Sequence, residues 1–213
     1  TSINGKRGLG LHDTIRDFLQ MEETIGVKLL TDVHEVDHIQ YLKDVVDVLQ
    51  IPAFLCRQTD LIQAACKTDC IINIKKGQFL APWDVEGILS KTSEAKEVWI
   101  TERGTSFGYN NLIVDFTGLQ YMLMAYNCPI VYDISHSVQR PGGNKESSGG
   151  DRSYIPGLAR ASSALGITNF FIEVHPDPDN APSDGPNMLK LEDFDRVVED
   201  IMEYNYAEHR DNY

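Results

Sequence analysis

The ends of six short apolar runs carry the residues that could do chemistry. In chain order they are Thr31-Asp32-Val33-His34, Gln50-Ile51-Pro52-Ala53, Lys75-Lys76-Gly77-Gln78, Glu102-Arg103-Gly104, Asp133-Ile134-Ser135-His136 and Glu173-Val174-His175. One such end is an ordinary water-facing strand terminus; six in succession point to a shared site. Lys75, Lys76 and Arg103 are the cations among them, in a sequence of 19 basic and 32 acidic side chains with a formal charge of −13. If they converge, they build a positive pocket inside a negative field, which a phosphorylated or carboxylated substrate needs. Arginine grips a phosphate through two parallel N–H bonds, and lysine supplies a compact charge that shifts on burial. Taken alone, Lys75-Lys76 fits a solvated strand end equally well.

A second constellation is His136, Glu173 and Asp184, the last in the Asp- and Pro-rich loop Pro176 to Asn187. One imidazole and two carboxylates with open positions suit a divalent ion such as Mn, Fe or Zn. They also suit a metal-free cluster of hydrogen-bonded acid and base residues. His34 follows a strand, whereas His12, His38 and His209 fall on helical or terminal segments and read as surface residues. The segment Ser137 to Tyr154 is longer than the two to six residues of an ordinary connection, and reads either as a lid or as a solvent excursion.

These residues need elements to hold them. Strands are expected at Val27 to Leu30, Val45 to Ile51, Cys70 to Ile74, Val98 to Thr101, Ile130 to Tyr132 and Asn169 to Ile172, as near-continuous apolar runs that suit strands buried on both faces. Helical patterns lie around them: His12 to Ile25 with Gly26 as its stop, Asp37 to Asp44, Gln58 to Lys67, Trp83 to Ser90, Gly118 to Tyr126, Pro156 to Leu165 and Leu191 to Tyr204. Strict alternation implies βαβ units and leaves a doubly wound sheet or a barrel. Gly5, Gly8 and Gly10 follow no visible strand, so a dinucleotide fingerprint is weak. The pattern is that of a parallel (β/α)8 TIM barrel lacking its first strand, first helix and second strand, with 1–213 forming a single catalytic domain.

With 213 residues and 42% hydrophobic composition, the chain supports one well-buried core. Its acidity argues against binding nucleic acid or an anionic membrane face, and no apolar stretch nears the roughly 18 to 20 residues of a membrane span. Cys56, Cys66, Cys70 and Cys128 have neither disulfide-scaffold density nor zinc-ribbon spacing, which suits buried thiols in a reducing compartment. No signal peptide precedes Thr1, and the chain does not begin with Met, so an upstream segment is expected to be missing or trimmed.

Several runs match a known family closely. Thr31 to Glu35, Gln50 to Leu61, Ile72 to Phe79, Thr101 to Gly104 with Phe107 to Leu112, Asp133 to Gln139 and Phe171 to Pro178 resemble the 3-deoxy-D-manno-octulosonate 8-phosphate synthase family, within the class I DAHP synthetases. The resemblance covers essentially the whole chain. It implies condensation of phosphoenolpyruvate with D-arabinose 5-phosphate and water, releasing phosphate by C–O cleavage, in lipopolysaccharide biosynthesis. It also implies a cytoplasmic homotetramer. By motif, Lys75 and Arg103 hold phosphoenolpyruvate in a site lined by Gln50, Pro52 and Ala53, with Gln78 also binding substrate. Asp32 and His34 face the reacting sugar, with His136 and Lys75 among the catalytic residues. Arg57 reaches the sugar phosphate of a neighbouring subunit, and Thr1 and Ser2 end the loop that cradles that phosphate.

The family's first two strands, with a Lys-Ala-Asn-Arg-type segment, would precede Thr1, and they carry the position that is Cys in metal-dependent and Asn in metal-independent members. Ser183 and Asn187 around Asp184 resemble the metal-dependent branch, with His136, Glu173 and Asp184 as ligands, though a metal-independent form stays open. The alternatives to this activity are the related 3-deoxy-heptulosonate 7-phosphate synthases, or a barrel remnant that only binds.

Overall fold

The computed structural model describes residues 10–143 and 148–208, the side chains of 206–208 excepted. Two compact units are present, one running up to Thr101 with Tyr126–Pro129, the other comprising Glu102–Ala125 and the residues from Ile130 onward.

The first unit is built from α1 (Leu11–Ile25), β1 (Leu30–Asp32), α2 (Val36–Leu42), β2 (Val48–Ile51), α3 (Thr59–Cys66), β3 (Ile71–Lys75), α4 (Val85–Leu89) and β4 (Val98–Glu102), whose last residue begins the second unit. β1 pairs with β2, β2 with β3 and β3 with β4, all parallel, so every connection is a crossover. Leu49, Ile51, Ile72, Ile74 and Ile100 are fully buried, which explains apolar runs without alternation. Gly26 ends α1 in the left-handed conformation, φ 67°, and its N–H bonds the Glu22 carbonyl at 3.0 Å. No residue of α1 is buried.

The second unit carries α5 (Phe116–Ala125), β5 (Ile130–Asp133), α6 (Ile155–Ala164), β6 (Asn169–Phe171) and α7 (Phe194–Glu208). β5 and β6 pair in parallel, and the Arg160–Asp200 ion pair at 2.7 Å ties α6 to α7. Leu119, Met122, Tyr132, Ile134 and Ile155 form its fully buried core. Both units are thus α/β, with parallel strands and helical crossovers, and no helix among the described residues is long and apolar enough to cross a membrane.

The bounds of the strands need correction in detail. The first strand lies at Leu30–Asp32, later than Val27 to Leu30, because the ladder begins at Leu30 opposite Val48 while the Leu29 N–H bonds the Asp47 carboxylate at 2.8 Å. The segment from Ser137 to Tyr154 is tied at both ends: Gln139–Arg140 pairs antiparallel with Gly149–Gly150, and Asp151 caps the turn Arg152–Tyr154.

Candidate active site

In the first unit the strand ends are linked by their polar side chains. Register sets Asp32 beside Gln50 and Gln50 beside Asn73. The Gln50 amide donates to Asp32 Oδ1 at 2.6 Å, Asn73 donates to Gln50 Oε1 at 2.8 Å, and the Thr101 hydroxyl donates to Asn73 Oδ1 at 2.6 Å. Asp32 and His34 are exposed at the end of this row. Beyond it, Lys75 and Lys76 are buried, at 7% and 0% exposure, so the solvated reading of the pair does not hold. Lys76 Nζ donates to the Leu80 carbonyl at 2.9 Å, which makes it a brace for the following loop. Gln78 is buried and its Oε1 accepts no hydrogen bond among the described residues, and Ala53 is buried beside a half-buried Pro52. Arg57 is exposed.

In the second unit Arg103 follows β4 and is only 5% exposed. Its own N–H and that of Gly104, which needs φ 95°, both donate to Glu102 Oε1, at 2.9 and 2.6 Å. The guanidinium Nη2 donates to Gln139 Oε1 at 3.0 Å, and Gln139 Nε2 donates to Asp184 Oδ1 at 2.5 Å. Nη1 is buried with no hydrogen-bond acceptor among the described residues. Burial pulls this guanidinium below its ordinary pKa, against Asp133, Glu102 and Asp184, which pull it up; arginine stays charged regardless. A buried guanidinium with one nitrogen unpartnered among the described residues could receive an anion.

His136 stands past β5. Asp133, wholly buried, accepts from the Ser135 and His136 N–H groups through Oδ1, at 3.1 and 2.8 Å, and meets His136 Nδ1 through Oδ2 at 2.8 Å. That carboxylate fixes the ring with Nε2 toward Glu173 Oε2, 3.4 Å away. The Glu173 N–H in turn donates to Ser135 Oγ at 2.6 Å, locking the ends of β5 and β6. An imidazole between two carboxylates can carry a proton, or can share a cation with Glu173. Asp184 directs an oxygen to Gln139, and among the described residues no group of three His, Cys, Asp or Glu side chains is set to hold a metal. Of the three, His136 and Glu173 stand 3.4 Å apart, while Asp184 is engaged by Gln139.

The DAHP synthetase I family profile matches residues 1–207. The chain belongs to that family. Similar members include proteins named 2-dehydro-3-deoxyphosphooctonate aldolase. That of Caulobacter vibrioides (strain NA1000 / CB15N) is 52% identical over 207 residues, 96% of this chain and 72% of the relative. That of Rhodopseudomonas palustris (strain ATCC BAA-98 / CGA009) is 50% identical over the same shares. That of Bartonella quintana (strain Toulouse) is 50% identical over 214 residues, covering 100% of this chain and 77% of the relative.

Within this DAHP synthetase I chain, the structure brings Asp32 to Gln50, Arg103 through Gln139 to Asp184, and His136 to Glu173. Thr1 and Ser2 lie outside the described residues. Reasoning from strand ends missed Asn73 and Thr101, which are inside strands, and passed over Gln139 and Asp133 as functional residues. A polar residue interrupting an apolar strand, as Asn73 does in Ile71-Ile72-Asn73-Ile74, was the available signal.

Proposed function

We infer that this chain is a 3-deoxy-8-phosphooctulonate synthase, a transferase that condenses phosphoenolpyruvate with D-arabinose 5-phosphate and water. The products are 3-deoxy-D-manno-octulosonate 8-phosphate and inorganic phosphate, for lipopolysaccharide. The observation that carries this reading is Arg103, a buried guanidinium with Nη2 on Gln139 and Nη1 left for an anion. Half of the aligned residues are shared with relatives whose name specifies the eight-carbon product. Eight carbons less the three of phosphoenolpyruvate leave a five-carbon sugar, whereas the heptulosonate alternative needs a four-carbon one.

In this reading residues 1–213 act as one catalytic domain, and the fold is a parallel (β/α)8 barrel lacking the first strand, first helix and second strand. Functional groups at the carboxyl ends of parallel strands support it. C3 of phosphoenolpyruvate bonds to the sugar aldehyde carbon, water adds at C2, and the C2–O bond to phosphate breaks. Arg103 and Lys75 are assigned to phosphoenolpyruvate, as are Gln50, Pro52, Ala53 and Gln78; both cations are buried, so their charge is poorly screened. Asp32 and His34 face the sugar, and Asp32 is held in place by Gln50. Thr1 and Ser2 are assigned to the sugar phosphate. Where no metal is held, His136, its Nδ1 fixed by Asp133, would be the group that moves a proton at Nε2.

A divalent ion such as Mn, Fe or Zn is assigned to His136, Glu173 and Asp184, where it would supply an electrophile that orients the aldehyde or acidifies water. The buried Asp133 behind His136 Nδ1 is the outer partner that such a ligand commonly has. The enzyme is read as a cytoplasmic homotetramer in which Arg57 serves a neighbour's site. Exposed Phe54, Phe79 and Trp83, and in the other unit Tyr109 and Met124, are apolar area that self-association would cover.

Incubating the purified protein with phosphoenolpyruvate and either arabinose 5-phosphate or erythrose 4-phosphate tests the assignment. Phosphate release is expected only with the pentose. Turnover of the tetrose alone would make it a heptulosonate synthase, and turnover of neither would reduce it to a binding protein.

A further inference from the structure

We propose that Asn73 and Thr101 are positioning residues of the active site, which hold Gln50 and Asp32 through one directional relay of hydrogen bonds. The inference rests on the reading in which Gln50 and Asp32 meet the substrates. Its basis is strand register. Asp32, Gln50 and Asn73 occupy one row across β1, β2 and β3, so their side chains emerge from the same face one strand spacing apart, about 4.8 Å. That is the span of a side-chain amide with a hydrogen bond at each end. Thr101 lies two residues past Trp99, the partner of Asn73, and so returns to the same face. The four side chains are bonded in sequence at 2.6, 2.8 and 2.6 Å.

The direction of the relay follows from its last member. An ionised carboxylate only accepts, so Gln50 must turn its NH2 to Asp32 and its Oε1 to Asn73. Asn73 must then turn its NH2 to Gln50 and its Oδ1 to Thr101, whose hydroxyl is left to donate. Each amide therefore has one allowed orientation. Gln50, Asn73 and Thr101 are 4%, 1% and 0% exposed, so no water competes at these positions and a reversed amide would face like against like. The outer end alone is exposed, where Asp32 presents its remaining lone pairs. A buried relay of this kind does no chemistry; it sets where the Asp32 carboxylate and the Gln50 amide stand when substrate arrives.

Three substitutions test this: Thr101→Val, Thr101→Ser and Asn73→Asp, each compared with wild type by kcat/KM for both substrates and by thermal unfolding. Thr101→Val removes the first donor without changing shape and is expected to lower kcat/KM roughly two- to ten-fold, while Thr101→Ser restores it. Asn73→Asp keeps volume but cannot donate when ionised, so Gln50 must turn its NH2 inward and show its oxygen to Asp32. A loss of about ten- to a hundred-fold is expected there. Wild-type kcat/KM in both Thr101→Val and Asn73→Asp overturns the proposal, as do losses that vanish once rates are normalised to folded protein.

The Gln50 side-chain amide, observed by NMR, reads the relay without turnover. Slow exchange and a single orientation are expected in wild type, and a changed amide environment in Asn73→Asp. A freely exchanging Gln50 amide in wild type sinks the relay even if the enzyme is active; an ordered amide in an enzyme that fails to condense phosphoenolpyruvate with arabinose 5-phosphate sinks the assigned activity instead.

Discussion

The Asp133 carboxylate and the His136 imidazole meet at 2.8 Å, Oδ2 to Nδ1, at the carboxyl end of β5. The carboxylate is wholly buried and its other oxygen is occupied by two backbone N–H groups, so it cannot turn away. Through this contact a residue without a route to substrate decides which ring nitrogen of His136 is available.

Asp133→Asn preserves the shape and alters that decision, because an amide NH2 can donate to Nδ1 and drive the ring proton to Nε2. Loss of kcat of about ten- to a hundred-fold is expected, as for other outer partners of a working histidine. The pH profile of kcat should change with it. An unchanged profile would remove His136 from proton transfer.

Arg103→Ala and Lys75→Ala should each lower kcat/KM for phosphoenolpyruvate roughly ten- to a hundred-fold or more, the loss of a charge-assisted contact of about 1.5 to 3 kcal/mol. Arg103→Lys should recover only part, since an ammonium cannot bond Gln139 and an anion through a rigid fork. Steady-state kinetics read both. Near-normal constants in the two alanine variants would remove the anion pocket.

Exhaustive chelation followed by addition of Mn, Zn or Co is expected to abolish and then restore activity. Metal content of His136→Ala, measured by mass spectrometry, should fall in parallel. Full activity after metal removal would place the protein in the metal-independent branch and leave His136 and Glu173 as an acid and base pair.

Light scattering is expected to report four copies per particle, and Arg57→Ala should raise KM for arabinose 5-phosphate more than for phosphoenolpyruvate. An active monomer would contradict a site shared between subunits.

Burial pushes the Cys66 thiol up to about 11 from an ordinary 9.0, and also raises Cys56, Cys70 and Cys128. A group raised on folding stabilises fully below its unfolded pKa, and that contribution is lost as pH climbs through the folded one. Stability to denaturant should therefore decline between pH 9 and about 11. Denaturation midpoints across that range check it, with Cys66→Ala flattening the decline.

Periodicity and turn chemistry were enough to mark α1 with its Gly26 stop, and the apolar runs of β2, β3 and β5 declared themselves because strands buried on both faces tolerate few polar residues. The ionisable strand ends, Lys75, Arg103, Asp133 and Glu173, were legible for the same reason: they stand where those runs stop. What apolarity cannot encode is register. β1 begins at Leu30 because of its neighbour β2; that pairing brings Asp32 to Gln50, and the pairing of β2 with β3 brings Gln50 to Asn73. Gln139 reaches Arg103 across 36 positions and Asp184 across 45, and no local pattern connects residues so far apart. Even α1, amphipathic by sequence, has no buried residue. A side chain's type is set by the sequence, but whether it is burdened with holding another, as Asn73 and Asp133 are, depends on which strand end folding brings within about 3 Å of it.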